Sequence, residues 1–182
     1  MCKTLINMFA FILSLFIIVF DTAKADSLGD KKRFGDLMMV MSPAYAWGMT
    51  VMEEDYNGML QFGELMLGTQ LVVEGIKAFN LEERPNHNDK RSFPSGHAAA
   101  AFSGAMFVHK RYGWKAALAP YGISLMTSWS RVETKAHYLH DVVAGAVVSA
   151  LFTWILVDKY IPNNVCINAD TTGASVNIRT RF

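Results

Sequence analysis

The spacing of the apolar residues constrains this chain more than any other feature. From Phe34 onward they recur at helical intervals rather than alternating, and three long stretches, 37–52, 116–130 and 142–157, contain no charged residue. Charged residues, Gly and Pro fill the intervals between them. A period near 3.6 broken in this way specifies helices that each bury a face against their neighbours. The expected fold is therefore all-α, a compact bundle of about five or six helices, formed by one domain over residues 26–162. The segment 163–182 changes character. Asn163, Asn164, Asn168, Asp170 and Gly173 break the helical pattern, while Val176, Ile178, Thr180 and Phe182 alternate with polar residues, so a short hairpin or extended C-terminal tail is expected.

Composition narrows the class. Hydrophobic residues make up 52% of the 182 and charged residues 18%, which excludes intrinsic disorder. The formal charge of +1 supplies no basic field for nucleic acid. At the N-terminus, Lys3 precedes an uncharged run over 4–20 and then Ala23-Lys24-Ala25. This reads as a secretory signal peptide over residues 1–25, cut after Ala25; an uncleaved anchor is the alternative. Removing it takes Lys3, Lys24 and Asp21 and leaves a formally neutral chain whose lone cysteine is Cys166, so no intramolecular disulfide is expected. The protein should be exported, and periplasmic in a bacterium. None of the three uncharged stretches reaches the roughly 18 residues that a bilayer-spanning helix needs. Reversible attachment to a membrane surface is thus expected ahead of insertion.

Individual helices can be placed. Ser42-Pro43 resembles an N-cap followed by Pro at the first helical position, predicting a short turn and then a helix over about 43–53. Asp55 can cap a second helix over 56–79, with Leu60, Leu65, Leu67, Leu71, Val72 and Ile76 as its apolar positions and Glu64 and Glu74 on a wetter face. A charged loop over 80–93 follows. A third helix should open at Ser95-Gly96-His97, a fourth after Trp114, and a fifth near His137 that ends before Pro162.

Three clusters carry chemistry: Lys77 with Arg84-Pro85, then Pro94-Ser95-Gly96-His97, then Ser130-Arg131 with His137 and Asp141. Lys77, Arg84 and Arg131 offer one point charge and two planar forks, the donor set that neutralises a tetrahedral dianion from several sides. Ser95 and Gly96 fall at a predicted helix N-terminus, whose free N–H groups and dipole favour phosphate. His137 and Asp141, four residues apart on a predicted helix, share a face. The carboxylate can then accept one imidazole N–H and leave the other nitrogen as a nucleophile toward phosphorus. His97 is left to donate a proton to the departing oxygen and afterwards to activate water.

These residues give the chain a family resemblance. It resembles the type 2 phosphatidic acid phosphatase (PAP2) superfamily, shared with bacterial non-specific acid phosphatases and vanadium haloperoxidases. The family pattern of Lys, six residues, Arg-Pro is met by Lys77 and Arg84-Pro85. Pro-Ser-Gly-His stands at 94–97. Ser-Arg, five residues, His, three residues, Asp is met by Ser130, Arg131, His137 and Asp141. The spacer between Arg84-Pro85 and Pro94 is shorter than the family usually shows and leaves little room for a large specificity loop.

The resemblance implies a metal-independent phosphatase with no cofactor, acting on phosphate monoesters or pyrophosphates through a phosphohistidine at His137. A phosphorylated lipid is the expected substrate and a soluble phosphate ester the runner-up. A vanadate-dependent haloperoxidase or a non-catalytic lipid-binding protein ranks lower. The partners implied are that substrate and a membrane surface, not nucleic acid; the oligomeric state is not legible. His87, His109 and His140 read as surface or packing residues, with His140 turned about 100° away from Asp141 on a helix. Lys90, Arg91, Lys110, Arg111 and Lys115 read as a solvated basic rim, and Glu133 and Lys135 as loop charges near the substrate mouth.

Overall fold

A computed structural model of the chain describes residues 28–161 in full, together with the backbone of 165–170 and 173–178. The expected signal peptide lies outside the described residues. Among those residues the chain forms five helices: α1 (Leu28–Met52), α2 (Tyr56–Phe79), α3 (Gly96–Tyr112), α4 (Trp114–Glu133) and α5 (Leu139–Leu156). Beyond them β1 (Val165–Asp170) pairs antiparallel with β2 (Gly173–Ile178), Val165 opposite Ile178. This is the all-α bundle with a hairpin tail that the spacing specified.

The helices run up and down in sequence order, so alternate connections gather at the same end. Residues 53–55 and Gly113 turn the chain at one end; the long loop 80–95 and the turn 134–138 lie at the other. α3 is the central element and touches α1, α2, α4 and α5. Its sequence explains the position. Ala98, Ala99, Ala101, Ser103, Gly104 and Ala105 are buried around the helix, and small side chains let several neighbours approach closely. A Cβ on Gly104 would come within 2.6 Å of the Ser42 carbonyl carbon and oxygen, so only glycine fits where α3 crosses α1. Toward the far end Phe62 and Leu65 of α2 pack on Phe107 and Val108 of α3 with Ala46 and Ala117. The Phe62 and Phe107 rings are 4.8 Å apart. Each such side chain contributes roughly 1.5–3 kcal/mol of burial.

Three local expectations are corrected. Pro43 does not open a helix but lies inside α1, which runs unbroken through it. Ser42 is not a cap either; its hydroxyl donates to the Ala101 carbonyl at 2.7 Å, so packing on α3 carries α1 past a residue that would end an isolated helix. In α2 the buried positions are Gly58, Phe62, Leu65, Thr69 and Val73, whereas Leu60, Leu67 and Leu71 point outward. Arg111 is no part of a solvated rim. It is buried and donates to Asp55 through Nη2 at 2.6 Å and through Nε. Tyr112 Oη donates to the same carboxylate at 2.7 Å. Asp55 still caps α2 as expected, accepting from Gly58 N at 2.9 Å, and also ties the far end of the bundle together.

Candidate active site

The end of the bundle opposite Asp55 collects the C-terminus of α2, the N-terminus of α3, the C-terminus of α4 and the turn before α5. Lys77, Ser95 to His97, Arg131 and His137 sit on these four segments, with Arg84 on the 80–95 loop. All the motif residues are therefore brought to one end by the up-and-down topology.

Ser95 caps α3 through its hydroxyl, which accepts from Ala98 N at 3.4 Å. Its own N–H donates to the Asp141 carbonyl at 2.9 Å, which locks the Pro-Ser-Gly-His turn onto the start of α5. Lys77 approaches the same turn from α2, and its Nζ stands 3.4 Å from where a Gly96 Cβ would lie. The ammonium thus lies beside the Gly96 backbone, at ordinary contact distance from the place a side chain would take. Arg131 is almost wholly buried. Its Nη1 pairs with Asp36 at 2.8 Å and its Nη2 donates to the Lys32 carbonyl at 2.7 Å. Arg84 pairs with Asp89 at 3.4 Å. The Nε atoms of both arginines are buried without a protein acceptor. Two unsatisfied donors on cationic groups are costly in a protein interior unless an anion meets them.

His137 does not lie on a helix as expected. It precedes α5, whose N-cap is Tyr138, yet its Nδ1 still comes within 3.3 Å of Asp141 Oδ2. That oxygen also accepts from Tyr138 N at 2.9 Å and from the Ser92 hydroxyl. His137 is buried, and its pKa is held below the ordinary imidazole value, first by loss of solvent and then by the Arg84 charge, with Asp141 opposing. His97 is more open to solvent. Burial and the Arg131 charge lower its pKa, while Asp36, 3.1 Å from its Nε2, acts the other way. Lys77 lowers both, so its charge reaches the two histidines alike. A neutral imidazole oriented by a carboxylate, a second imidazole across three cations and a helix N-terminus can together hold a tetrahedral anion, attack it and move a proton.

Sequence reasoning missed four of the residues around this constellation. Ser92 signals itself only by standing two residues before Pro94. Asp36 belongs to no motif. His140 is not turned away from Asp141: its Nε2 lies 3.0 Å from Asp141 Oδ1 and 2.8 Å from Glu82 Oε1, and its ring stacks on Tyr138. Glu82, His140 and Asp141 thus bring three metal-ligating atoms within 4.8 Å of one another; the imidazole hydrogen-bonds Glu82, and Asp141 Oδ1 is buried beside it without a hydrogen-bond partner. His87 and His109 lie at the surface as expected, on Glu83 and Tyr121. A cleft of about 940 Å³ opens at the other end of the bundle beside Glu53, Tyr56 and Tyr160 and contains no motif residue.

A family model described as the PAP2 superfamily matches residues 69–164, an interval that holds Lys77, Arg84, His97, Arg131, His137 and Asp141. The chain belongs to the PAP2 superfamily. It is 33% identical over 162 residues to a lipid A 4'-phosphatase of Helicobacter pylori, covering 79% of this chain and 80% of that one. It is 37% identical over 71 residues to a lipid A 1-phosphatase of Porphyromonas gingivalis, covering 37% of this chain but 16% of that protein. In three dimensions it resembles the crystal structure of Aquifex aeolicus LpxE with a TM-score of 0.57 and 18% identity, over 79% of this chain and 92% of the other. That likeness is one of fold. This PAP2 chain is a phosphatase.

Proposed function

We propose that the PAP2 chain hydrolyses a phosphate monoester or pyrophosphate carried by a lipid, without a metal ion, through a phosphohistidine at His137. The observation that carries this reading is the pair of buried, unpartnered Nε donors on Arg84 and Arg131 at the end of the bundle that also carries His97 and His137. The His137 Nε2 lone pair attacks phosphorus while Asp141 holds the Nδ1 proton. The bond from phosphorus to the ester oxygen breaks, and that oxygen takes a proton from His97. Water then loses a proton to His97 and displaces His137, releasing inorganic phosphate and restoring both imidazoles. Lys77, Arg84, Arg131 and the N–H of Gly96 at the start of α3 stabilise the charge on the phosphoryl oxygens throughout, while Ser95, whose own N–H is taken by the Asp141 carbonyl, holds the turn in place.

A lipid substrate is supported by the way the helices divide their residues. α5 buries Asp141, Val142, Gly145, Ser149 and Thr153 and turns Leu139, Val143, Val147, Leu151, Trp154 and Ile155 outward. α4 buries Ser124, Thr127 and Ser128 and exposes Leu118, Leu125 and Trp129. Small and polar side chains inside with large apolar ones outside suit packing in lipid rather than water. α5 is also long and apolar enough to cross a membrane. These outward faces favour a lipid-embedded seat over reversible surface attachment, with the phosphate site at one end of the bundle. The lipid A phosphatases among the relatives point to a phosphorylated glycolipid of that class. The test is phosphate release by the purified chain from lipid A, phosphatidate, a polyprenyl pyrophosphate and soluble phosphate esters, with chelator present and His137→Ala as control. Turnover of soluble esters alone, or turnover retained by folded His137→Ala, would overturn the reading.

A further inference from the structure

Asp36 stands inside this site although no motif contains it. Its Oδ1 lies 2.8 Å from Arg131 Nη1 and 3.1 Å from His97 Nε2, so one carboxylate oxygen bridges two residues from different motifs. The position is built by the docking of α1. A Cβ on Gly35 would lie 2.2 Å from Ser130 Oγ and 2.4 Å from Arg131 Nη2, so only glycine lets the first turns of α1 reach the Ser-Arg pair. The Ser130 hydroxyl donates to the Lys31 carbonyl at 2.6 Å, and Arg131 Nη2 to the Lys32 carbonyl at 2.7 Å. Lys31 and Glu133 pair at 2.9 Å on the outside of the same contact.

We propose that Asp36 is the positioning residue for His97, its carboxylate gripping the imidazole at Nε2 and keeping a proton on the ring, as Asp141 grips His137 at Nδ1. An imidazolium held at Nε2 has its Nδ1 proton left to give to the departing oxygen. The proposal rests on the phosphatase reading above, in which His97 is the proton donor. The charges that face His97 come from three neighbouring helices: Lys77 of α2 and Arg131 of α4 disfavour its protonated form, and Asp36 of α1 favours it. On α5 the acid, Asp141, is turned to His137, Ser92 and Tyr138. Removing the Asp36 charge leaves burial and two cations acting on the donor.

The experiment compares full-length wild type with Asp36→Asn in detergent micelles, following the five histidines by NMR through a pH titration and kcat/KM for lipid A in mixed micelles over the same range. Asp36 is 44% exposed at its side chain, so its influence is partly screened. The His97 midpoint should fall by about one pH unit and the alkaline limb of kcat/KM should move to lower pH with it. On the acid side of that limb, activity should return to within about threefold of wild type, and Asp36→Glu should restore part of the shift. Lys31→Met, which cuts the neighbouring ion pair and leaves the carboxylate, should titrate as wild type does. An unchanged His97 midpoint, a loss of activity equal at every pH, or the same shift in Lys31→Met would overturn the proposal. Absence of phosphate release by wild type would instead overturn the substrate reading, and the titration alone would then decide the role of Asp36.

Discussion

Replacing Asp141 with asparagine separates the charge of this residue from its shape. Asp141 Oδ2 collects donors from Ser92, Tyr138 N and His137 Nδ1, and its Oδ1 faces His140 Nε2 at 3.0 Å. An asparagine with its amide oxygen in the Oδ2 position keeps all three donors, and the exposed His140, whose Nε2 donates to Glu82, can turn away from the new NH2. The orientation of His137 therefore survives, and the negative charge is what is lost. At 3.3 Å, two unit charges at an effective dielectric near 20 interact by about 5 kcal/mol. His137 becomes cationic only part-way along its attack, so about 3–4 kcal/mol of that bears on the barrier. The expected result is a fall in kcat of about 10²–10³-fold. Folding should suffer little: the cap of α5 is retained, and only a favourable charge at a helix N-terminus, about 0.3–1 kcal/mol, disappears. The melting temperature should drop by about 1–4 °C. Saturating phosphate-release kinetics and a thermal melt on the same preparation test both halves. Asp141→Ala, which also frees the imidazole, should be slower still. An Asp141→Asn enzyme within tenfold of wild type would refute the reasoning.

Other outcomes follow from the same geometry. Arg84→Lys and Arg131→Lys should each lower kcat/KM by at least about tenfold, because lysine keeps the charge and loses the fork. Arg131→Lys should also lower the melting temperature, since it breaks the bond to the Lys32 carbonyl; equal melts would contradict that part. In the pH profile the acid limb reports protonation of the His137 nucleophile and the alkaline limb loss of the proton from His97. Both groups are held below the ordinary imidazole value, so kcat/KM should peak on the acid side of pH 6.5, and a maximum above about pH 7.5 would refute the assignment. Gly104→Ala should destabilise the fold by roughly 1–3 kcal/mol through its clash with the Ser42 carbonyl, despite alanine's better helix propensity. Chemical denaturation reads this directly, and a stabilised variant would mean that α1 and α3 separate freely.

What was legible in the sequence was the part governed by local chemistry. Apolar spacing specified a helical bundle because a helix repeats its face every 3.6 residues whatever it packs against. The cap at Asp55 and the helix start at Ser95 were visible because such side chains bond to backbone groups within the next turn. The motif residues were visible because phosphate chemistry demands fixed residue types near one another along the chain. Tertiary structure decided the rest. Nothing local tells Leu65, which is buried, from Leu67, which faces outward; packing on Phe107 and Val108 of α3 selects the buried side. Pro43 reads as a helix start until α3 packs against it. Arg111 reads as surface charge until Asp55, 56 residues earlier, meets it in the interior. Asp36 and His140 had no signature, because each acquires its place, beside His97 or beside the carboxylate that holds His137, only when helices distant in sequence bring their ends together, and that convergence is a property of the topology rather than of any window of residues.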